Sequence, residues 1–89
     1  MRHVSINVIG KVQGVFFRAS TKEKADELMI NGTVRNNEDG SVTIEAEGEE
    51  QALEKFIRWC KQGPRLARVD HCEIKDFPLR NFTKFLIEH

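Results

Sequence analysis

Hydrophobic and polar residues alternate near the start of the chain in the manner of a half-buried β-strand. Val4, Ile6 and Val8 are apolar, whereas the residues between them are polar. Residues 10–18 then include two glycines, and we call this stretch the glycine loop. From its end onward the spacing becomes helical, and the residues on that face are Phe17, Thr21, Ala25 and Leu28. The pattern predicts a strand that leads through the glycine loop into a helix.

Two starting points for this first helix are compatible with the sequence. The helix begins either inside the glycine loop or two residues after Arg18, because Ser20 and Glu23 form a capping-box pattern. Asn31-Gly32 is predicted to end the helix, since glycine is favoured immediately after a helical segment. Under both alternatives Arg18 lies at the N-terminal end of the helix.

A β-hairpin is predicted in the middle of the chain. Residues 33–37 and 41–47 favour strands and flank Glu38-Asp39-Gly40, in which the Asp-Gly pair is a strong hairpin signal. Apolar residues of the second strand share one face of the sheet. The polar residues expected on its other, partly wet face are Thr43, Glu45 and Glu47.

The rest of the chain predicts a second helix and two further strands. The helix starts near Glu49 and ends before Gly63-Pro64, with an apolar stripe that consists of Leu53, Phe56, Ile57 and Cys60. Strands follow at 67–77 and 83–88, and alternation slips around 70–72, which indicates a bulge or a weak register. This order gives an α+β fold of the split β-α-β type, βαββαβ with an added C-terminal strand, in which two helices cover one face of an antiparallel sheet.

Composition limits the classes of function. The 89 residues are expected to form a single domain, 1–89. Fourteen basic and 14 acidic residues give a formal net charge of zero, so no global field attracts nucleic acid or an acidic membrane. Without an apolar leader or membrane span the expected location is cytoplasmic. Cys60 and Cys72 lack the spacing of a disulfide scaffold or zinc site and are expected to be reduced thiols.

The glycine loop is the main candidate for chemistry. The N-terminus of a helix presents unpaired backbone N–H groups and the positive end of the helix dipole, which stabilise a small anion such as phosphate. Arg18 is a cation at that positive end, and this placement is disfavoured by roughly 0.3 to 1 kcal/mol. A bound anion would offset that repulsion. The position of Arg18 therefore favours an anion site.

Several blocks of the sequence resemble the acylphosphatase family and occur in the order and spacing of that family. They are Gly10, Val12-Gln13-Gly14-Val15, Phe17-Arg18, Gly32-Thr33-Val34-Arg35-Asn36, Asp39-Gly40-Ser41-Val42, and Gly63-Pro64 with Ala67 and Val69. The resemblance runs from Val4 to Ile87. It implies a ferredoxin-like α/β sandwich that hydrolyses acyl phosphates without a metal or another cofactor. Because the chain is shorter than the multidomain maturation protein with a similar domain, a free-standing monomeric enzyme is expected.

The same resemblance assigns roles to individual residues. Backbone N–H groups would bind the phosphoryl oxygens, and the residues that supply them are Gln13, Gly14, Val15, Phe16 and Phe17. Arg18 would add a planar guanidinium with two donors, and Asn36 would hold the attacking water. An amide side chain does not titrate near neutral pH, so Asn36 would orient the water rather than act as a base. The products would be a carboxylate and inorganic phosphate.

Other interpretations of these residues exist. The glycines could serve only a tight connection, Arg18 could form a surface salt bridge with a glutamate, and Asn36 could simply begin the hairpin. A noncatalytic regulatory module that binds phosphate or acyl phosphate is the alternative function. An RNA-binding module is disfavoured, because the chain lacks tyrosine and an alternating pattern of glycine and aromatic residues.

Five further residues complete the sequence-based picture. His3, His71 and His89 lack the spacing of metal ligands and are assigned no role. Thr33 and Ala19 stand where many family members carry an aromatic and a larger side chain, respectively. Both departures are expected to alter packing beside the site and to affect substrate preference and stability more than activity, because the glycine loop, Arg18 and Asn36 are intact.

Overall fold

A computed structural model describes all 89 residues, which form two helices and five strands. The elements are β1 (Arg2–Lys11), α1 (Phe17–Glu27), β2 (Asn31–Asn36), β3 (Val42–Gly48), α2 (Glu50–Gln62), β4 (Arg68–Phe77) and β5 (Phe85–Glu88). The strands form one sheet in the order β4-β1-β3-β2-β5. The predicted α+β fold is confirmed, and four of its strands are antiparallel to their neighbours. The added strand β5 instead runs parallel to β2, which makes the sheet mixed.

One hydrophobic core lies between the helices and one face of the sheet. Alternate residues of a strand point to the same face, and in the antiparallel register Val4 lies opposite Ala46 and Ile6 opposite Ile44. All four side chains are fully buried. The helices complete the core with residues that include Phe17, Ala25, Leu53, Phe56 and Cys60. Neither α1 nor α2 has the length and hydrophobicity that a membrane-spanning helix requires.

The first helix begins inside the glycine loop, so the alternative start at Ser20 is wrong. Phe16 precedes the helix with φ 61° and ψ 25°, in the left-handed region, and no side chain caps the helix. The N–H group of Ser20 already donates to the carbonyl oxygen of Phe16 over 3.0 Å, as it does within a helix. Arg18 is therefore the second helical residue.

The predicted glycine cap at Asn31-Gly32 is also wrong. Met29 takes the left-handed position after the helix with φ 58°, and the N–H group of Ile30 donates to the Ala25 carbonyl over 2.8 Å. Gly32 instead lies in β2 with φ 149°. A Cβ atom there would lie 1.8 Å from the carbonyl oxygen of Glu45, so close strand contact explains this glycine.

A bulge accounts for the broken alternation in β4. Ile9 lies opposite His71 and Gly10 lies opposite Val69, which leaves Asp70 as the extra residue. The bulge alternative is therefore the correct one. It lies where β1 enters the glycine loop.

The face of the sheet away from the helices is more covered than predicted. Glu47, expected on a partly wet face, is only 1% exposed. Residues 78–82, which we call the 78–82 segment, fold over this face. The N–H groups of Arg80 and Asn81 donate to Glu47 Oε2 over 2.8 and 3.2 Å, and that of Phe82 donates to Oε1 over 2.8 Å. The prediction for Glu47 is wrong because a segment distant in sequence covers it.

His3 lies beside Glu47 in this covered region and is 2% exposed. Its Nε2 atom lies 2.7 Å from Glu45 Oε1, and its Nδ1 atom lies 2.9 Å from the Pro78 carbonyl oxygen. The ring packs between Phe77 and Phe82, with centroids 5.9 and 5.5 Å away. His3 therefore has a structural position that its sequence context did not indicate.

Candidate active site

The glycine loop exposes backbone donors because buried residues hold it on both sides. Val12 and Val15 are buried in the core, whereas Gly14 and Phe16 face outward. The N–H groups of residues 13–16 donate to no atom of the protein. Phe17 begins the helix, where backbone N–H groups have no partner within the helix. The loop thus presents consecutive free donors at the positive end of α1.

The guanidinium of Arg18 is oriented by the end of β5. Its Nη1 atom donates to the Glu88 carbonyl oxygen over 2.8 Å and lies 3.4 Å from His89 Nδ1. The Nε and Nη2 atoms form no hydrogen bond within the protein, and no carboxylate pairs with the side chain. The surface salt bridge considered for Arg18 is therefore wrong. A neutral carbonyl holds one arm of the fork and leaves its positive charge uncompensated.

Asn36 lies at the end of β2, opposite Val42. Asn36 is exposed, and its carboxamide forms no hydrogen bond within the protein. Asn36 borders the same cavity as Gly14 and Arg18. The volume of this cavity is about 350 Å³. The fold therefore brings a free carboxamide to the cavity that the glycine loop and the guanidinium also line.

We call the cavity that Gly14, Arg18 and Asn36 share the site cavity. Its full lining consists of Val12, Gly14, Phe16, Phe17, Arg18, Ala19, Asn36, Ile87 and His89. None of these residues has an acidic side chain and Arg18 contributes a positive charge, so the side chains of the site suit an anion. No group of three or more His, Cys, Asp or Glu side chains is placed to hold a metal ion.

The predicted site residues fall into two groups. Five line the site cavity, namely Gly14, Phe16, Phe17, Arg18 and Asn36. Gln13 and Val15 do not line it, and Val15 is only 6% exposed. Of the two departures from the family pattern, Ala19 lines the cavity. Thr33 instead borders a separate cavity on the other face of the sheet, so its expected place beside the site is wrong.

The sequence did not indicate that Ile87 and His89 reach the site. Both follow from the pairing of β5 with β2 at the sheet edge. The apolar run near the end of the chain predicts a strand, but nothing in that run specifies its neighbour. No local signal could have found these two residues.

The side chain of Gln13 ties the glycine loop to the β2–β3 hairpin. Its Nε2 atom donates to the carbonyl oxygens of Asn37 and Ser41 over 2.7 and 3.0 Å. The resemblance assigned Gln13 only a backbone role, and the structure adds this contact. Asn36 directly precedes Asn37, so the contact restrains the distance between the backbone donors and the Asn36 carboxamide.

The hairpin is itself held by polar contacts. The Asn37 carboxamide donates to Ser41 Oγ and Thr43 Oγ1 over 2.9 and 2.7 Å. Asp39 Oδ1 accepts hydrogen bonds from the Ser41 hydroxyl and N–H groups over 2.6 and 2.9 Å, and these bonds lower the pKa of Asp39. The turn that follows Asn36 is therefore well defined.

Both the sequence and the fold match known proteins. The sequence model of a family described as Acylphosphatase matches residues 4–87. The acylphosphatase of Methylococcus capsulatus is 41% identical over 88 residues, which cover 98% of this chain and 96% of the relative. The acylphosphatase of Lactobacillus johnsonii is 48% identical over 89 residues, covering 98% of each chain. The crystal structure of acylphosphatase from Bacillus subtilis superposes with a TM-score of 0.97 at 36% identity and covers 100% of both chains.

Proposed function

Because the chain belongs to the acylphosphatase family and is a hydrolase of acyl phosphates, we propose that the glycine loop binds the phosphoryl group and Asn36 orients the attacking water. The observation that carries this proposal is the convergence of three unpaired groups on one cavity. They are the free N–H groups of Gly14 and Phe16, the free arm of Arg18 and the free carboxamide of Asn36.

Phosphoryl binding follows from the charge and geometry of the donors. Backbone N–H groups of residues 13–17 contact the phosphoryl oxygens, and the Nε and Nη2 atoms of Arg18 donate to them as a fork. The hydrogen bond from Nη1 to the Glu88 carbonyl orients the guanidinium without neutralising it. This arrangement stabilises negative charge that is spread over the oxygens in the transition state.

The reaction requires positioning more than acid or base catalysis. The oxygen of water attacks phosphorus, the bond from phosphorus to the acyl oxygen breaks, and its electron pair leaves on the carboxylate. A carboxyl group has an ordinary pKa of about 4, so this leaving group needs no general acid. Asn36 orients the water by hydrogen bonds, and the proton of the water passes to a phosphate oxygen. No step in this scheme uses a metal.

The proposal also covers the oligomeric state, the cellular location and the partners of the enzyme. We place it as a single-domain monomer in the cytoplasm, without nucleic acid or membrane as a partner. Its zero formal net charge supports the absence of electrostatic recruitment by such polyanions. Size-exclusion chromatography of the purified chain tests the monomer.

Hydrolysis of benzoyl phosphate in the presence of EDTA tests the mechanism. The native chain should turn over, Asn36→Ala should lower kcat by about 100-fold with inhibition by phosphate retained, and Arg18→Ala should lose both turnover and phosphate binding. Circular dichroism confirms that each variant is folded. A folded native chain that binds phosphate without turnover would support the noncatalytic regulatory module instead. Normal activity in both variants would overturn the site assignment.

A further inference from the structure

The side chain of Phe16 is not explained by the fold. It is 75% exposed, whereas Phe17, Phe56 and Phe85 are each at most 2% exposed. Its backbone is in the left-handed region with φ 61°, which is unfavourable for a bulky side chain. Neither core packing nor backbone conformation favours phenylalanine at this position. An exposed aromatic ring beside a binding site is instead suited to contact a ligand.

Phe16 borders a second concavity next to the site cavity. We call it the side depression; its volume is about 410 Å³ and its lining is Val15, Phe16, Ser20, Pro64, Arg65 and Leu66. Leu66 is 62% exposed. Phe16 lines both the site cavity and the side depression. The two concavities therefore meet at the Phe16 side chain.

We propose that the side depression binds the acyl group of the substrate, and that Phe16 and Leu66 determine how strongly this enzyme discriminates a large apolar acyl group from a small one. The proposal rests on the proposed phosphoryl site in the glycine loop. The acyl carbon is joined to phosphorus through one bridging oxygen, so a phosphoryl group held by the loop brings the acyl group next to Phe16. A benzoyl ring extends further from phosphorus than a two-carbon acetyl group, so it covers more of the apolar surface that Phe16 and Leu66 form.

The chemistry of the side depression favours an apolar occupant over a charged one. Four of its lining residues are apolar, and Ser20 and Arg65 are the polar ones. Arg65 forms no ion pair within the chain. Its exposed position allows the guanidinium to stay in water while the apolar side chains contact the substrate. Covering Leu66 and Phe16 removes apolar surface from water, which stabilises the complex.

The ratio of kcat/KM for benzoyl phosphate to kcat/KM for acetyl phosphate tests this proposal. Leu66→Ala should lower that ratio about fivefold, because part of the apolar contact with the ring is lost. Leu79→Ala is the matched control, since Leu79 is also a surface leucine, 48% exposed, but lies in the 78–82 segment. It should leave the ratio unchanged. Phe16→Asn should lower the ratio at least as much as Leu66→Ala.

The outcomes separate this proposal from the proposed function. If the folded native chain hydrolyses neither substrate, the phosphoryl site itself is wrong. If both substrates are hydrolysed and the ratio is the same in the native chain, Leu66→Ala and Phe16→Asn, the acyl site alone is overturned. Inhibition by inorganic phosphate should remain within twofold of native in Leu66→Ala, which checks that the glycine loop is intact.

Discussion

Two regions of this molecule, the glycine loop and the 78–82 segment, present backbone N–H groups that are not used in helices or strands. Each region contains a non-glycine residue in the left-handed conformation, Phe16 with φ 61° and Asn81 with φ 58°. In the 78–82 segment the donors are satisfied by the buried carboxylate of Glu47. In the glycine loop they have no partner within the chain. The same backbone device stabilises the fold where the anion is internal, and we propose that it binds substrate where the donors are free.

The two left-handed positions, Phe16 and Asn81, also differ in how well their side chains suit that backbone conformation. Asparagine tolerates this conformation better than most residues, whereas a bulky aromatic residue does not. The structural region thus uses a side chain that suits its backbone. The glycine loop carries one that does not, as expected where strain is retained for a function.

Removal of the internal anion should have the largest effect on stability. Glu47→Gln replaces an acceptor oxygen by an amide NH₂ that faces backbone donors, and should lower the free energy of unfolding by about 3 kcal/mol. Urea denaturation measures the change. Glu54→Gln, an exposed position on α2, is the control and should change stability little. If Glu47→Gln lowers the free energy of unfolding by less than about 1 kcal/mol, the stabilising role assigned to the Glu47 carboxylate in the 78–82 segment is wrong.

Acid should weaken the same internal contact. Burial alone would raise the pKa of Glu47, but hydrogen bonds from the N–H groups of Arg80, Phe82 and Asn81, together with attraction to His3, lower it below the usual 4.5. A carboxyl group whose pKa is lower in the folded state stabilises the fold above its unfolded pKa. This contribution is lost as pH falls through the folded pKa.

The native urea midpoint should therefore decline as the pH falls below about 4.5, and Glu47→Gln should show a shallower decline. Some slope should remain in the variant, because hydrogen bonds from Ser41 and Arg2 also lower the pKa of Asp39 and Asp76, respectively. Equal slopes for the two proteins would contradict the role assigned to the Glu47 carboxylate.

In the glycine loop, loss of the Gln13 side chain should affect catalysis more than phosphate binding. Gln13→Ala removes both hydrogen bonds to the hairpin, and kcat should fall about tenfold because Asn36 is less well placed. Inhibition by phosphate should change less than twofold. In an Asn36→Ala background the same change should have little further effect on kcat, since Gln13 acts through Asn36. Fully additive losses in the double variant would argue against that coupling.

The smallest expected effects concern the left-handed residues. Phe16→Asn and Met29→Asn each place a tolerant residue at a positive φ, 61° and 58° in the native chain, and should raise stability by about 0.5 kcal/mol. Thermal unfolding measures both. Only Phe16→Asn should also change the kinetics, because Met29 lies outside both concavities. A kinetic change in Met29→Asn would mean that the effect is not specific to the glycine loop.

Much of the fold could be predicted because its elements have strong local periodicity. The alternation around Ile6 and the apolar stripe around Phe56 each specify one element and its buried face. The helix end was misplaced because Gly32 is required by contact with β3, a demand that local sequence does not reveal. Burial of Glu47 was missed for the same reason, since its partners lie more than thirty residues away.

The candidate site could likewise be predicted only where its residues lie close together in the sequence. The glycine loop and Arg18 could be placed from the sequence, because a strand, a loop and a helix start follow one another along the chain. The side-chain contact of Gln13 and the approach of Ile87 and His89 arise from pairing between distant strands. The specific roles of Arg18 and Asn36 remain predictions for the kinetic experiments to decide.

The pairing of β1 with strands that are synthesised later has a consequence for how the enzyme becomes active during synthesis. β1 is made first, but Gly10, where it enters the glycine loop, pairs with Val69 of β4, and Arg18 is oriented by Glu88. A ribosome therefore releases the glycine loop long before the segments that fix its geometry. Contacts of such long sequence separation form slowly. The nascent chain therefore carries the glycine loop from early in translation, but the proposed site is complete only after β5 has left the ribosome.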